Sequence, residues 1–189
     1  MATAQEICKL LELQPHPEGG FFAECFKDPD VNLPHSLLPA TFKIGRSVST
    51  AIYFLMPTGN VSCLHRIPSS EVWHFYKGDP LTVFEIDDEG NTKHTVLGQD
   101  IAAGQKLMYV QKPNVWFGAY PTKDIEHIPE AGKPIVKSAP RDPETNFSLV
   151  GCTVAPGFEF DDFVLATRSD MLAKFPHAKA FVEFLTHAP

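Results

Sequence analysis

Short apolar or alternating segments, each ended by Gly, Pro, Asn or Asp, dominate the middle of this chain. They predict β-strands at 21–26, 49–55, 72–76, 81–86, 107–110 and 147–154. Strands this short, with turn residues between them, are typical of an antiparallel sandwich or barrel. The segment 87–91, Asp-Asp-Glu-Gly-Asn, is predicted to be a hairpin turn. The pattern therefore predicts an all-β core.

Helices are expected only at the two ends of the chain. Thr3 and Glu6 form a capping-box pattern ahead of an apolar stripe, which predicts a helix over 3–13. Pro176 is suited to the first turn of a C-terminal helix. The proline-containing segments 27–45 and 120–146 are expected to be loops. Because no repeat or composition shift divides the chain, we expect a single domain over 1–189.

Charge and composition exclude several classes of partner. The chain has 16 Lys and Arg against 23 Asp and Glu, a formal net charge of −7, and lacks the basic stripe that nucleic acids or anionic membranes require. Its apolar runs are too short to span a membrane, and its N-terminus does not resemble a secretory signal. The four cysteines are scattered and are predicted to be reduced rather than zinc-binding. These features predict a cytoplasmic protein.

The stretch 59–78 carries the candidate chemistry. His65 lies on one predicted strand and Glu71 on the next, with a turn at 68–70 between them. Strand alternation puts Trp73 and Phe75 on the same face as Glu71. An acid and a base beside aromatic walls are typical of a small-molecule site. The alternative is a buried His–Glu hydrogen bond that only fixes the loop.

The spacing of this stretch resembles the first signature of the cupin superfamily. Gly59 is followed by five residues, His65-x-Ile67, three residues, Glu71, six residues and Gly78. A degraded form of the second signature follows at 104–118. The segments 16–22, 50–55, 65–80 and 150–160 sharpen the resemblance to a small branch of single-domain cupins. It implies a jelly-roll barrel (a double-stranded β-helix), a homodimer and a pocket at the barrel mouth.

The resemblance departs from the family pattern at its metal ligands. Ile67 stands where the first signature has its second histidine, and no histidine occurs in 104–120. A metal in such a pocket usually takes at least three protein ligands. The sequence therefore predicts no tightly held metal and no cofactor, and a metal-dependent cupin enzyme remains as an alternative.

Sugar and nucleotide-sugar epimerases and isomerases are the nearest functional analogues on this fold. By this resemblance the protein is expected to be a metal-independent isomerase or epimerase of sugar-like or nucleotide-sugar substrates. Its catalytic residues would be His65 as base, Glu71 as orienter and Tyr53 as acid. The residues expected to bind substrate are Trp73, Phe75, Trp116, Glu18 and Arg46. The alternative is a cupin that binds a small ligand without converting it.

Overall fold

The computed structural model describes residues 2–130 and 132–187. Its helices are α1 (Ala4–Leu10), α2 (Arg168–Lys174) and α3 (Lys179–Phe184). Its strands are β1 (Gln14–Pro15), β2 (Phe21–Lys27), β3 (Asn32–Leu33), β4 (Arg46–Ser47), β5 (Thr50–Pro57), β6 (Ser62–Arg66), β7 (Ser70–Gly78), β8 (Leu81–Ile86), β9 (Thr92–Leu97), β10 (Met108–Gln111), β11 (Trp116–Pro121), β12 (Phe147–Ala155) and β13 (Val164–Leu165). None of the helices in the described ranges is long and apolar enough to cross a membrane.

Two antiparallel sheets form the barrel that the sequence predicts. One sheet has the strand order β1-β2-β5-β12-β7-β10, and the other has the order β13-β6-β11-β8-β9. Strands far apart in sequence are neighbours, as in a jelly roll, because β12 inserts between β5 and β7. Alternate residues of both sheets point inward and form one apolar cluster that includes Phe54, Trp73 and Phe117. The predicted all-β jelly roll is confirmed.

Helices cover parts of the outer faces of both sheets. Near the C-terminus, α2 and α3 pack on the five-stranded sheet, where the ring of Phe181 stacks on Phe84 at a centroid distance of 4.8 Å. On the six-stranded sheet, α1 packs against Leu55 and Phe147. The capping box predicted at Thr3 is present. Strand alternation turns some apolar side chains of each sheet outward, away from the barrel interior, and the helices bury these side chains.

Elements with weak patterns escaped prediction. β9, of sequence Thr-Lys-His-Thr-Val-Leu, shows little apolar alternation because it lies at the edge of its sheet. α2 is short and strongly charged, and Thr167 caps it. The segment 120–146 is held to the barrel by Arg141, which pairs with both Asp79 and Asp124.

Candidate functional site

A cavity of about 100 Å³ opens between the two sheets near the beginning of β7. Its lining combines aromatic and aliphatic side chains with four carboxyl groups and two imidazoles. The lining residues are His16, Glu18, Phe22, Glu24, Thr50, Ile52, Phe54, His65, Ile67, Glu71, Trp73, Cys152, Val154, Phe158, Glu159 and Phe160. An enclosed, mostly apolar space with a few convergent polar groups is the usual form of a small-molecule site.

A tight turn brings His16 and Glu18 to this cavity. The amide of Gly19 donates to the carbonyl of His16 at 3.0 Å, and the amide of Cys63 on β6 donates to the carbonyl of Glu18 at 2.8 Å. Gly19 has a φ of +112°, and a Cβ there would lie 2.1 Å from the carbonyl oxygen of Val61. Only glycine fits such a position, so this residue allows the turn to pack against β6.

His65 is fixed from both sides of its ring. Its Nδ1 lies 2.7 Å from the carbonyl oxygen of Cys63, and its Nε2 lies 3.4 Å from Oε2 of Glu18. The ring of Phe117 packs on it at a centroid distance of 4.1 Å. Because a carbonyl only accepts hydrogen bonds, Nδ1 must carry the proton. Burial lowers the pKa of His65 below its usual value, so the neutral ring is favoured and Nε2 is free to act as a base.

Glu18 lies between two imidazole nitrogens, one from His16 and one from His65. Its Oε2 is 3.4 Å from both His16 Nδ1 and His65 Nε2, and its Oε1 accepts from Ser62 Oγ at 2.8 Å. His16 Nδ1 already accepts the backbone N–H of Glu18 at 3.2 Å. Burial raises the pKa of Glu18 and lowers that of His65, which favours the proton on the carboxyl group. The contact at 3.4 Å is longer than an ordinary hydrogen bond, so both groups retain capacity to hydrogen-bond a ligand in the cavity.

Glu71 provides a second buried carboxyl group in the same cavity. It is 7% exposed, and burial raises its pKa to about 7 against the opposing charge effect of His65. The thiol of Cys152 lies beside it on β12, and burial raises the pKa of that thiol well above its usual value. Near neutral pH the Glu71 side chain can therefore both hold and release a proton.

Replacing Glu71 with glutamine is expected to stabilise the fold increasingly as pH rises from 4.5 to 7. Below pH 4.5 the carboxyl group is protonated in both the folded and unfolded chains, so it contributes no difference. Above that pH the carboxyl group ionises in the unfolded chain before it ionises in the folded chain. The free energy of unfolding of the wild type therefore falls by up to about 3 kcal/mol as pH rises through the folded pKa of about 7. Urea unfolding of both proteins at a series of pH values measures the difference. A constant difference would contradict the raised pKa.

The structure brings together four of the predicted site residues and leaves four outside. His65, Glu71, Trp73 and Glu18 all line the cavity. Trp73 is 1% exposed, and its indole N–H has no hydrogen-bond partner among the described residues. Such a buried N–H is costly unless a bound molecule accepts from it, so Trp73 offers a ligand one donor.

Tyr53, Phe75 and Trp116 lie outside the cavity. The strand residues flanking Tyr53, Ile52 and Phe54, line it, so alternation turns Tyr53 to the outer face, where its ring meets Tyr76 at 6.0 Å. Phe75 points inward and packs in the same apolar cluster as Trp73, but it is not among the residues that line the cavity. Trp116 packs under the C-terminal helices, and the side chain next to it, Phe117, is the one that reaches His65.

Arg46 also lies outside the cavity. It is 4% exposed, forms a buried ion pair with Asp162 and donates to the carbonyl of Gly157 at 3.2 Å. This guanidinium therefore anchors the segment that carries Phe158 and Phe160 to the cavity wall.

Sequence reasoning missed His16. In the pattern His-Pro-Glu-Gly-Gly at 16–20, only Glu18 is predicted to bind substrate, and His16 is given no role. The signal was the two adjacent glycines, because they permit a turn tight enough for His16 and Glu18 to face the same space.

The donor set in this cavity does not fit a resident metal ion. In the described ranges no three His, Cys, Asp or Glu side chains are arranged to hold one. Ile67 occupies the cavity wall between His65 and Glu71, and the side chain contacting His65 from β11 is Phe117. Nδ1 of His16 and Nδ1 of His65 are both engaged by backbone groups. The residues that line the site therefore do not offer three converging ligands to one ion.

Replacing Ile67 with histidine is expected to create a zinc site. The variant would combine two histidines and Glu71, a donor set that suits tetrahedral zinc with one open position. We expect zinc affinity to rise by roughly 100-fold over wild type, measured by titration calorimetry after dialysis against chelator. The double variant Ile67→His/Glu71→Gln is the matched control and should lose most of the gain. Equal zinc affinity in wild type and the single variant would refute the expectation.

Comparison with known proteins agrees with this architecture. A family model described as Cupin superfamily (DUF985) matches residues 5–166. A crystal structure of a protein from Shewanella oneidensis is 33% identical, with 100% of both chains covered and a TM-score of 0.79. A hypothetical protein from Leishmania major is 26% identical over 98% of this chain and 99% of that one, also with a TM-score of 0.79.

A more distant structure shares the fold alone. A cupin 2 conserved barrel domain protein from Rhodopseudomonas palustris is 12% identical, with 93% of this chain and 90% of that chain covered and a TM-score of 0.56. Among curated proteins, none matches this chain. Since the family model spans most of the chain and the Shewanella protein matches over its full length, this protein belongs to the cupin superfamily, in the group described as DUF985.

Proposed function

We propose that this protein is a metal-independent isomerase or epimerase that binds a small, sugar-like molecule in the cavity. The observation that carries the proposal is the pairing of His65 Nε2 with Glu18 at 3.4 Å inside an enclosed space that also holds Glu71. A base and two protonatable carboxyl groups around one cavity are the parts that proton transfer beside a carbonyl requires.

In the proposed reaction His65 is the base. Its Nε2 removes a proton from the carbon next to the carbonyl of the substrate, and the electron pair of that C–H bond moves to the carbonyl oxygen as an enolate. The backbone carbonyl of Cys63 stabilises the protonated ring through Nδ1, at 2.7 Å. Return of a proton to the opposite face, or to the neighbouring carbon, completes epimerisation or isomerisation.

The acid in this proposal is a glutamate rather than a tyrosine. Tyr53 lies on the outer face of the six-stranded sheet, whereas Glu71 and Glu18 line the cavity. A carboxyl group with a pKa of about 7, as burial gives Glu71, is half protonated at neutral pH and can donate to the developing enolate oxygen. Trp73 would offer its unpaired N–H to the substrate.

A second candidate function is ligand binding without conversion. The apolar lining, in which Ile52, Phe54 and Val154 contribute, supports it as well as catalysis. Nucleotide sugars are less favoured as ligands, because their phosphates call for cationic side chains. Within the part of the chain that the structure describes, no Lys or Arg lines the cavity.

A ligand screen followed by an exchange assay tests both functions. Thermal shifts against a metabolite panel identify stabilising ligands without assuming a reaction. Each hit that contains a carbonyl is then incubated in D₂O, and deuterium at the neighbouring carbon is measured by NMR. Exchange above the buffer rate supports the isomerase or epimerase. Stabilisation without exchange supports binding alone, and the absence of any stabilising ligand would refute both.

We further propose a homodimer, as the cupin resemblance implies. The part of the six-stranded sheet that α1 leaves uncovered exposes apolar side chains, and its residues Phe26, Tyr76, Met108 and Val110 are 45–57% exposed. Exposed apolar patches of this kind often mark protein interfaces. Light scattering after size exclusion should give twice the chain mass of 20.9 kDa. A monomer at micromolar concentration would contradict the proposal.

A further inference from the structure

The charges around the cavity restrict what can bind in it. Four of its lining residues are glutamates, namely Glu18, Glu24, Glu71 and Glu159, and none is Lys or Arg. Glu18 and Glu71 are buried deep in the cavity, whereas Glu24 is exposed. Lys27, near the opening, is already paired with Glu159 at 2.7 Å. A ligand therefore meets carboxyl groups at depth and at the mouth, with no free cationic side chain in the lining.

The two imidazoles do not reverse this balance. Burial lowers the pKa of both His16 and His65, so neither ring adds a stable positive charge near neutral pH. An anionic ligand would meet carboxylates or would have to hold extra protons in the site. A cationic ligand meets acceptors instead.

Aromatic rings surround these carboxyl groups. Phe22 and Phe160 both pack against His16, with ring centroids at 4.5 Å and 5.8 Å respectively. Phe54 and Trp73 form the deeper part of the wall and meet edge to face at 6.2 Å. The faces of aromatic rings attract cations, most strongly where water is excluded. Carboxyl groups among aromatic rings form a lining that suits an organic ammonium ion.

We propose that the cavity selects a small organic cation, an amine-bearing molecule, over its neutral and anionic counterparts. The ammonium group would lie between Glu18 and Glu71, and the body of the ligand would pack on Trp73 and Phe54. This inference rests on the proposed function only in that both concern the same cavity. If both hold, the substrate is a sugar-like molecule that carries an amine.

Binding of a cation should expel a proton from this site. Glu71 is faced by His65, Glu18 and Cys152, and near neutral pH this group of side chains holds ionisable protons. A positive charge beside the carboxyl groups lowers their pKa, so a proton leaves for the buffer as the ammonium ion enters. A neutral ligand of the same shape lacks this effect.

Two series of probes matched in shape test the selection by titration calorimetry. One is glucamine, glucitol and gluconate, and the other is benzylamine, benzyl alcohol and benzoate. We expect the ammonium member to bind roughly 10-fold or more tightly than the alcohol, and the carboxylate to bind most weakly. Repeating the titration in buffers of different ionisation enthalpy measures proton release, which we expect for the ammonium probes alone.

Variants that remove charge while keeping shape complete the experiment. Glu71→Gln and Glu18→Gln should each reduce the preference for the ammonium probe, whereas Glu89→Gln, at an exposed turn outside the cavity, should leave it unchanged. The thermal midpoint of each free variant shows whether it remains folded, and the buffer series on wild type does not depend on any variant. Tighter binding of the ammonium in either series supports the proposal. Equal or weaker binding in both, or no binding by either ammonium at millimolar concentration, overturns it.

These probes undergo no proton transfer at carbon, so their order of affinity is independent of turnover. Cation selection without deuterium exchange would refute catalysis and keep this inference. Deuterium exchange on neutral sugars, with no preference for cationic probes, would support catalysis and refute this inference.

Discussion

Replacing His65 with glutamine should slow solvent deuterium exchange into the substrate by about 10²–10⁴-fold, the usual contribution of a positioned general base. Glutamine retains polar atoms near the cavity, but its amide cannot accept the proton that Nε2 takes from carbon. Ligand affinity should change far less than the rate, since His65 is one of many lining residues. Single-turnover exchange, followed by NMR at saturating ligand, measures the rate separately from binding.

His74→Gln is the matched control for this experiment. His74 lies on β7 with Glu71 and Trp73, but it points outward, and its Nε2 lies 3.1 Å from Thr153 Oγ1. This variant should exchange at the wild-type rate. Exchange that persists in a folded His65→Gln protein would show that another group is the base.

The pH profile of exchange distinguishes a catalytic His65 from a merely structural one. Activity should fall at low pH as His65 becomes protonated, and it should fall above pH 7 as Glu71, with its pKa of about 7, loses the proton it donates. Glu71→Gln should remove the alkaline fall. A profile that stays flat from pH 5 to 9 would be inconsistent with both assignments.

Replacing Arg46 with methionine should lower the free energy of unfolding by about 3–5 kcal/mol. The substitution leaves Asp162, whose side chain is 2% exposed, as a buried charge without its partner. One hydrogen bond to that carboxylate remains, from the backbone N–H of Lys43 at 2.8 Å. Denaturant unfolding at pH 7 measures the loss, and ligand affinity should also fall because the anchored segment carries Phe160 into the cavity wall.

Two further variants separate burial of charge from loss of packing. The double variant Arg46→Met/Asp162→Leu removes both charges and should recover most of the lost stability. Lys174→Met breaks the exposed pair with Asp88 and should cost less than about 1 kcal/mol. A double variant as unstable as Arg46→Met would mean that the guanidinium contributes through packing on Phe42, which it covers at 4.5 Å, rather than through charge.

Local sequence patterns predicted most of the barrel. Apolar segments between turn residues located β2, β5, β7, β8, β10 and β12, and all of these except the partly exposed β2 have buried residues. The turn at 87–91 and the left-handed conformation of Asn114, with a φ of 60°, also follow from local chemistry. β9 and α2 escaped because edge strands and short charged helices bury too little apolar surface to leave a pattern.

Some residues of the candidate site could also be predicted from local sequence patterns, and others could not. His65, Glu71 and Trp73 lie close together in the chain, on the consecutive strands β6 and β7, which belong to the two facing sheets. Alternation along each strand is enough to turn all three side chains into the cavity between the sheets. Trp116 is predicted to line the cavity as an aromatic residue of the second signature, but on β11 it faces the C-terminal helices and its neighbour Phe117 faces His65. A pattern that is read along one strand cannot fix which face a partner strand will present.

What the sequence determined by itself is the class of fold and the placement of His65 and Glu71 in one cavity, since both follow from neighbours along the chain. Only the tertiary structure decided which carboxyl group contacts His65 Nε2. The answer is Glu18, 47 positions away. That contact depends on the turn at Gly19 packing against β6, and long-range packing of this kind leaves no periodic signal in the sequence. The acidic and aromatic character of the cavity has the same origin, because its wall is assembled from strands distant in sequence that meet only when the two sheets close.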